Sequence, residues 1–478
     1  MNKNRRFSVK IQCLHEMTGS CFLISVFYPN GKIEKFTIDC GRFNIDNDDI
    51  NDFFPFDPKD CIFSINTHAH DDHISRYPLF QKQGFRGTIY ATPQTCMLAN
   101  PILYNNSRIY QKEQKDYYIE PLYNNFDVEQ TLKQFKSCAY KKIVKPTKNI
   151  SFVLYENGHI PGACMILLVI TYPGEKDIRL FFTGDYNYKN MFFTVPPLPP
   201  EVTNNYLSLL VTESTYGTTN SYDTADQGKI VKLSKTALEQ GKTVILPSFA
   251  LQRSQEVIYL LGNAQAAGDL PSVPIILDGN SSQHFHNMYI YENMGFNINT
   301  RKLLPSTLKC VKSLFSRKEI ILSKEPKIII SPSGSSDCGS IVPYMINGVP
   351  REDILFLYPG YTPPFSMAGR LRIASKGDFL DYHGHNLQVM CDVDYSSELS
   401  GHAKKDEIID HIIRPCSQTK SILTTHGELI VQESYCKELQ DTFPNISVGM
   451  ATPDVCYTVE ADGIVKVDNI SIYKNRKI

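Results

Sequence analysis

The sequence predicts an α/β fold, and three observations support that prediction. Short apolar runs of strand length recur along most of the chain, and many of them stop at a polar or glycine cluster. Helical patterns lie between several of these runs, which is the alternation typical of α/β proteins. The length of 478 residues indicates two to three domains, or one large domain with an insertion, at roughly 150 residues per domain.

The predicted strands share a continuous apolar character that is typical of buried strands. In chain order they are FLISVFY, IFSINTHAH, FVLYENGH, MILLVITY, IRLFFTGD, LSLLVTES, TVILPS, VPIILDG, KIIISPSG, ILFLYPG, LQVMCDV and SILTTHGE. Apolar residues at helical spacing predict helices over 248–261 and 403–414. The Pro-rich stretch 195–205 and the polar segment 393–401 are the predicted seams between domains.

Composition excludes several classes of protein. Hydrophobic residues at 42% and charged residues at 21% are ordinary globular values, so disordered and fibrous architectures are excluded. A formal net charge of -1 argues against a protein that coats nucleic acid through bulk charge, although it leaves room for a local basic groove. No apolar run approaches the ~18 residues of a membrane span, and the basic N-terminus lacks the apolar stretch of an export signal. Thirteen Cys without a CxxC pair predict reduced thiols and a cytoplasmic location.

Four of the predicted strands end directly in an ionisable residue. These residues are His68, Asp185, Glu213 and His426. Sites in α/β folds are built at the carboxyl ends of strands, so the four endings predict one common rim. Ionisable groups at buried strand ends need charge partners or a metal.

The strongest motif is HAHDDH at 68–73, an HxHxDH pattern that directly follows a predicted strand. It offers His68, His70, Asp72 and His73, a mixture of imidazole nitrogen and carboxylate oxygen that suits Zn²⁺. The alternative is a polar turn without a metal, which would require three of the chain's twelve His to fall within six positions by accident.

Further donors also sit at strand ends. His159 lies in GHIPG, Asp185 in TGD and His426 in HGE. Taken singly, each is more typical of an ordinary turn residue. Together with the HxHxDH motif they make seven residues, enough for two metal sites.

The order HxHxDH, GHIPG, TGD, the acidic residue of TESTYG, SGHA and HGE resembles the β-CASP family of metallo-β-lactamase-fold nucleases, from about residue 13 to residue 428. The resemblance implies a metallo-β-lactamase αββα sandwich with an inserted α/β β-CASP cap domain over the active-site cleft. The expected parts are 1–210, 211–395 and 396–478, with the middle part as the insertion. Residues 18–21 and 39–41 are similar to the family's opening hairpin, in which Asp39 would orient the metal ligands.

The resemblance also implies how the metal ligands are shared. His68, His70 and His159 would hold one zinc, Asp72, His73 and His426 the other, and Asp185 would bridge them, with Mn²⁺ as a possible substitute. Two metals ~3.5–4 Å apart can activate a hydroxide and stabilise in-line displacement at phosphorus. The expected cofactor is therefore two Zn²⁺ per chain, with Asp72 also counted among the catalytic residues.

A departing alkoxide needs a proton, and His402 in SGHA is the candidate general acid. The carboxylate of Glu213 could hold its ring and favour the imidazolium, and the family assigns matching roles to these positions. The alternatives are that Glu213 caps the element that follows and that His402 is an N-terminal helix residue.

Within the inserted part, the Ser/Gly run 331–340 and the segment 358–371 are similar to further family segments. Ser333, Gly334, Arg370 and Ser400 are the predicted substrate contacts, since small residues with free backbone N–H groups can cradle phosphates. Alternatively, the Ser/Gly run is only a turn, and it lacks the Met and several Gly that usually occupy this loop in the family.

Two other HxH pairs are predicted not to bind metal, because no DH follows them. They are His284 with His286, and His383 with His385; the second pair flanks a predicted hairpin turn. Two basic clusters are expected to be solvated helix faces or, beside the cleft, a phosphate-tracking surface. They comprise Lys133, Lys136, Lys141, Lys142, Lys145 and Lys148, and Arg301, Lys302, Lys309, Lys312, Arg317 and Lys318.

The last motif carries a His, His426, as in the RNA-processing branch of the family. TESTYG and GHIPG are similar to the cleavage and polyadenylation endonuclease subunit and its prokaryotic relatives, and SGHA is similar to ribonuclease J. The resemblance therefore implies a minimal zinc-dependent ribonuclease that cuts single-stranded RNA internally or from a 5′ end. A homodimer is a further expectation. The alternatives are a non-catalytic β-CASP RNA-binding or assembly scaffold, and a small-molecule metallo-hydrolase.

Overall fold

The computed structural model describes residues 6–14, 19–43, 48–117, 120–223 and 226–470. These residues divide into two compact units, here called unit 1 (Met1–Ser221 and His402–Ile478) and unit 2 (Tyr222–Gly401). Both divisions lie further along the chain than the predicted boundaries after residues 210 and 395. The first predicted boundary would cut β10 (Leu209–Glu213), which is hydrogen-bonded within a sheet of unit 1. The second would detach Glu398, whose carboxylate accepts hydrogen bonds from the backbone of Gly228 and Ile230 in unit 2.

Unit 1 contains two sheets. The strands of sheet 1 lie in the order β22 (Gly463–Asn469), β21 (Val455–Glu460), β1 (Ser8–Cys13), β2 (Phe22–Phe27), β3 (Ile33–Ile38), β4 (Cys61–Ile65), β5 (Thr88–Ala91) and β6 (Phe135–Ser137). The strands of sheet 2 lie in the order β20 (Ser447–Met450), β19 (Ser421–Thr425), β10, β9 (Ile178–Phe182), β8 (Cys164–Ile170) and β7 (Ile150–Glu156).

The two sheets share one apolar core. In β8, Ile166 and Leu168 belong to the core that contains Ile24 and Phe36 of sheet 1, whereas the intervening Leu167 packs on the other side of sheet 2. This alternation follows from the two-residue period of a strand, which sends successive side chains to opposite faces. Sheet 2 is therefore buried on both faces, as its continuous apolar runs indicate.

Helices cover the outer faces of both sheets. Against sheet 1, the hydroxyl of Tyr77 lies 2.7 Å from the Oγ of Ser64, and behind sheet 2 the residues Ile412 and Leu439 join the core of Leu167. The helices of unit 1 are α1 (Asp71–Ile74), α2 (Tyr77–Lys82), α3 (Pro93–Tyr117), α4 (Asn125–Leu132), α5 (Pro200–Thr203), α12 (Lys405–Ile408), a π-helical turn (Ile409–Ile413) and α13 (Leu429–Thr442), with short 3₁₀ turns at Asp48–Asp52 and Pro58–Asp60. The result is the expected αββα sandwich.

Unit 2 is an α/β unit with a parallel sheet. Its strands lie in the order β13 (Leu308–Cys310), β12 (Ile275–Leu277), β14 (Ile328–Ser331), β11 (Thr243–Pro247), β15 (Ile354–Tyr358) and β18 (Asp392–Tyr395), beside a hairpin of β16 (Phe379–Tyr382) and β17 (His385–Gln388). Its helices are α6 (Lys229–Glu239), α7 (Arg253–Ala267), α8 (Asn280–Tyr291), α9 (Leu314–Leu322), α10 (Val342–Gly348) and α11 (Met367–Ile373), with 3₁₀ turns at Thr300–Leu303 and Gly339–Ile341.

Candidate metal centre and active site

The functional side chains follow strands that end at the same edge of unit 1. In sheet 2, β9, β10 and β19 are mutually parallel, and β7 runs in the same direction because it is antiparallel to β8, which is antiparallel to β9. His159 follows β7, Asp185 follows β9, Glu213 ends β10 and His426 follows β19, while His68 follows β4 of sheet 1. Parallel strands bring their carboxyl ends to one edge, so residues far apart in sequence converge there.

Four side chains form a first donor group. Each of His68, His70, His159 and Asp185 offers one ligand atom, and these atoms all lie within 4.8 Å of one another. The Nε2 of His159 lies 2.9 Å from the Nδ1 of His70, so two imidazole nitrogens point at the same space. This group could hold a metal ion.

Three side chains form a second donor group beside the first. Asp72, His73 and His426 also offer atoms that lie within 4.8 Å of one another. The Oδ2 of Asp72 is 3.2 Å from the Nε2 of His426 and 3.9 Å from the Nε2 of His73. One carboxylate and two imidazoles again make a donor set that suits a divalent cation.

The carboxylate of Asp185 faces both groups. Its Oδ1 lies 3.3 Å from the Nε2 of His73. Its Oδ2 lies 3.5 Å from the Nε2 of His426 and 3.7 Å from the Nε2 atoms of His68 and His159. Since one buried carboxylate lies against histidines of both groups, Asp185 occupies the position that a bridging ligand requires.

Two buried nitrogens test whether these residues fit a metal. Within the described part of the chain, the Nε2 atoms of His68 and His73 have no hydrogen-bond partner. Buried polar atoms are normally satisfied, so two buried nitrogens without a hydrogen-bond partner, both turned toward Asp185, fit the role of metal ligands. The donor chemistry therefore fits divalent metal ions.

Electrostatics differ between the two groups. Burial lowers the pKa of His70 to about 4 and that of His68 well below its ordinary value, so both rings are neutral and ready to ligate. Burial alone would also lower the pKa of His73 and His426, but Asp185 and Asp72 outweigh it and raise the pKa of His426 to about 9. The two carboxylates therefore make the second group a place that favours positive charge.

The carboxylate of Asp39 holds the metal-binding turn from behind. It accepts hydrogen bonds from the backbone N–H and hydroxyl of Thr67 at 2.6 and 2.7 Å, and from the side chain of Asn66 at 2.9 Å. Its Oδ2 also lies 2.8 Å from the Nδ1 of His73. These contacts place Asp39 behind the turn, and its role in orienting the metal ligands stays a prediction. Asn66 and Thr67 were not among the predicted residues, and Thr18 of the predicted hairpin lies outside the described residues.

A glycine allows this turn to pack closely. A side-chain carbon at Gly41 would lie 1.6 Å from the carbonyl oxygen of Asp72. That carbonyl accepts from the backbone N–H of Ser20, and the next carbonyl, of His73, accepts from Cys40. The residues around Gly41 can therefore clamp the HxHxDH turn only because position 41 has no side chain.

Asn157 joins two metal-binding loops and was also missed. Its side-chain oxygen accepts from the backbone N–H of His159 at 3.2 Å, and its amide donates to the carbonyl of Thr183 at 3.1 Å. Thr183 precedes Asp185 by two residues. Because Thr183 lies 26 positions away in the sequence, no local pattern indicated this role.

His402 lies next to the second donor group. Its Nδ1 is 2.9 Å from the Oε2 of Glu213, and the other oxygen of Glu213 accepts from the backbone N–H of Tyr186. The hydroxyl of Thr215, missed by the sequence reasoning, lies 3.3 Å from the Nδ1 of His402 and 3.0 Å from the Nδ1 of His426. Glu213 is the last residue of β10 and does not cap a helix, and His402 precedes α12. The two side chains therefore have the arrangement expected of a general acid and the carboxylate that orients it.

The predicted substrate contacts lie in unit 2. The loop after β14 carries Ser333, whose hydroxyl lies 3.2 Å from that of Ser335, and Gly334, which packs against Phe249. Arg370 is in α11 and donates to the carbonyl of Asp381. Ser400 lies in the last residues of unit 2.

The two rejected HxH pairs lie outside the donor groups. His286 is buried within α8, and His284 is exposed on the same helix. His383 and Gly384 form the turn between β16 and β17, both with positive φ, as the predicted hairpin requires.

The basic clusters are not the helix faces that the sequence predicted. Most of their members lie in strands, turns or loops. Lys133 and Lys141 pair with Glu129 and Glu156 at the surface. In the second cluster Arg317 is committed to the buried carboxylate of Asp278, so it is not free to bind phosphate.

A two-sheet sandwich with helices outside, histidines and aspartates at the carboxyl ends of its strands, and an inserted α/β unit defines a metallo-β-lactamase-fold protein. The family model of the Beta-Casp domain matches residues 254–371, which lie within unit 2. The matched part of the chain is a Beta-Casp domain, and the chain as a whole is similar to the β-CASP metallo-β-lactamase-fold proteins.

Curated relatives extend the similarity to both units. The chain is 27% identical to the transcription termination factor FttA of Methanosarcina mazei, over 89% of this chain and 66% of that protein. It is 26% identical to ribonuclease TTHA0252 of Thermus thermophilus, over 86% of this chain and 91% of that protein. The FttA of Thermococcus kodakarensis is 28% identical over 76% of this chain and 57% of its own length. The chain thus spans less than two thirds of the length of these FttA proteins.

Proposed function

We propose that the protein is a metal-dependent ribonuclease that hydrolyses phosphodiester bonds of RNA with two zinc ions. One observation carries the proposal: seven donor side chains and the pair of Glu213 and His402 meet at one edge of unit 1. The name of the Thermus relative, a ribonuclease, supports the reaction. A non-catalytic scaffold would not need every donor together with an acid beside them.

The donor groups divide the metal ions as follows. His68, His70 and His159 would hold one ion, Asp72, His73 and His426 would hold the other, and Asp185 would be shared. When bound, two zinc ions supply Lewis acidity for the phosphate and an ionised water at neutral pH. The same oxygen and nitrogen donors accept Mn²⁺ as a substitute.

His402 protonates the leaving oxygen. Its Nδ1 faces the carboxylate of Glu213, so the proton given to substrate would come from Nε2, on the other side of the ring. The carboxylate fixes the orientation of the ring, and the protonated ring is the form that donates. Because Tyr186 N–H holds the second carboxylate oxygen, Glu213 cannot rotate away from the ring.

The substrate is single-stranded RNA, cut internally, from a 5′ end, or both, with 3′-hydroxyl and 5′-phosphate products. We place the protein in the cytoplasm, in accord with thirteen Cys that form no CxxC pair. A homodimer is the proposed assembly, to be measured in solution. Among the described residues, no helix is both long and apolar enough to cross a membrane.

The test uses two adjacent carboxylates. Metal-loaded protein, Asp72→Asn and Asp71→Asn are incubated with internally and end-labelled RNA and DNA, single- and double-stranded. Asp71 is the matched control, because its carboxylate bonds to Asn106 and is not among the donors. We expect cleavage of single-stranded RNA by the parent and by Asp71→Asn and its loss in Asp72→Asn, with product lengths giving the mode of cutting.

Two outcomes would contradict the proposal. The first is equal cleavage by the parent and Asp72→Asn, which would assign the activity to a contaminant. The second is protein that carries fewer than one zinc per chain and gains no activity from added Zn²⁺ or Mn²⁺. Faster turnover of a thioester or lactone than of RNA would instead indicate a small-molecule hydrolase.

A further inference from the structure

Aromatic side chains are exposed at one edge of the parallel sheet of unit 2. Phe249 follows β11 and is 57% exposed, and Tyr361 and Phe365 follow β15 and are 51% and 95% exposed. Tyr395 ends the next strand, β18, and is 44% exposed. Single exposed apolar residues are common on proteins, but here they recur at the carboxyl ends of three neighbouring strands.

The loops that carry these rings adjoin one another. Strands β14, β11, β15 and β18 are neighbours, which gives this edge a width of about 14 Å at a strand spacing of roughly 4.8 Å. A side-chain carbon at Gly334, after β14, would lie 3.3 Å from the ring of Phe249. The backbone of Ala368, in the helix after Phe365, donates to the carbonyl of Ser335. The edge is therefore one continuous surface rather than separate loop tips.

Two cations lie over the ring of Tyr395 at one end of this surface. The guanidinium of Arg372 lies 3.7 Å from the ring centre and bonds to the hydroxyl of Thr362. The ammonium of Lys229 lies 4.8 Å from the ring centre and pairs with Asp394. Because Arg372 covers the ring of Tyr395, that ring is not counted among the exposed ring faces. Phe249, Tyr361 and Phe365 expose ring surface, and we call these three residues the aromatic rim.

We propose that the aromatic rim binds the bases of single-stranded RNA by stacking, with Arg372 taking an adjacent phosphate. This inference rests on the proposed function for the choice of polymer. Every base has a flat π-face, so exposed rings bind single strands with little sequence preference. A width of about 14 Å accommodates two to three nucleotides, and the charge of Arg372 complements the backbone between them.

A duplex fits this surface poorly, because its bases are already stacked and paired. The rim therefore selects single strands before any bond is cut. Carboxyl ends of strands in open parallel sheets are also where such folds bind ligands.

The experiment measures binding without cleavage. Full-length protein in EDTA is titrated into a fluorescein-labelled single-stranded 12-nucleotide RNA, and anisotropy gives the dissociation constant. We expect Phe249→Ala, Tyr361→Ala and Phe365→Ala each to weaken binding by about 5-fold or more, the range of a lost base–ring stack. Tyr291→Ala is the matched control, since Tyr291 is 74% exposed at the end of α8, away from the strand ends.

An abasic strand separates stacking from phosphate binding. A 12-unit ribose-phosphate strand without bases should bind the parent weakly, and Phe249→Ala should not weaken it further. Phe249→Trp should retain binding of the normal strand. Arg372→Gln should weaken both strands equally.

The inference is overturned if the triple alanine variant binds RNA like the parent, in which case the rim serves another occupant such as a protein. It is also overturned if Phe249→Ala weakens the abasic strand as much as the normal one. Thermal melting of each variant checks folding. Because the assay needs neither metal nor cleavage, loss of the ribonuclease activity in the other test would leave its result readable.

Discussion

The Oδ2 of Asp39 lies 2.8 Å from the Nδ1 of His73, so the ring of a candidate metal ligand is held by a buried carboxylate outside the donor groups. The hydrogen bond places the proton of His73 on Nδ1 and turns Nε2 toward Asp185. A ligand whose tautomer and orientation are fixed in advance loses little freedom when a metal binds. Asp39 thus acts on the metal through His73.

Replacing Asp39 with Ala should weaken metal binding by about 10- to 100-fold, the usual effect of losing an orienting partner. It should also destabilise the metal-free protein by about 1–3 kcal/mol or more, because buried donors on Thr67 and Asn66 lose their acceptor. Zinc titration against a competing chelator measures the first effect and urea unfolding the second. Asp60→Ala, which removes a surface pair with Lys35, should change neither.

We expect Thr215 to orient the ring of His426 as Asp39 orients the ring of His73. Its hydroxyl lies 3.0 Å from the Nδ1 of His426 and donates to the carbonyl of the same residue. Thr215→Val keeps the shape but leaves that Nδ1–H unpaired, so affinity for one of the two zinc ions should fall by about 10-fold. Thr215→Ser restores the hydroxyl and should bind like the parent; equal loss in both variants would mean that packing, not the hydrogen bond, is responsible.

His402 can be tested by changing the leaving group. His402→Gln should slow RNA cleavage by about 10²- to 10⁴-fold, the usual contribution of a general acid, without loss of zinc. A phosphodiester that releases p-nitrophenolate needs little protonation, so its hydrolysis should fall far less. His411→Gln serves as the control, since His411 stacks on Tyr188 and is not part of either donor group. An equal decrease with both substrates would remove His402 from proton transfer.

The donor residues were predictable because their signals are local. HAHDDH follows an apolar strand, and the other donors stand beside glycine at strand ends. Asn157 and Thr215 were not, because their roles depend on contacts with residues 26 and 211 positions away. A polar residue near a motif can orient a metal ligand only when the fold places the two side chains in contact. The spacing of residues along the chain does not indicate such a contact.

The same distinction holds for the fold. Each predicted apolar run overlaps a strand, but strands that mix polar with apolar residues, such as β1 (SVKIQC), β3 (IEKFTI) and β22 (GIVKVDN), were not predicted. The helix predicted over 248–261 begins only at Arg253, as residues 249–252 form a loop in which Gln252 has a φ of +71°. The helix predicted over 403–414 begins at Lys405 and continues as a π-helical turn. Apolar spacing therefore located these elements, whereas backbone conformation set their ends.

A buried histidine outside the centre should make stability depend on pH. His286 is 2% exposed within α8, and burial lowers its pKa from 6.5 to about 4, with the backbone of Leu303 opposing part of the effect. Between these values the unfolded chain binds a proton that the folded chain does not, so stability is complete above pH 6.5 and is lost as the pH falls toward 4. At pH 5 the loss should be about 2 kcal/mol. We expect His286→Leu to lose less stability on acidification than the parent, and the exposed His284→Leu to behave like the parent. Thermal unfolding in EDTA at pH 7 and pH 5 measures this loss. Equal acid sensitivity in all three proteins would show that the pKa of His286 is the same in the folded and the unfolded chain.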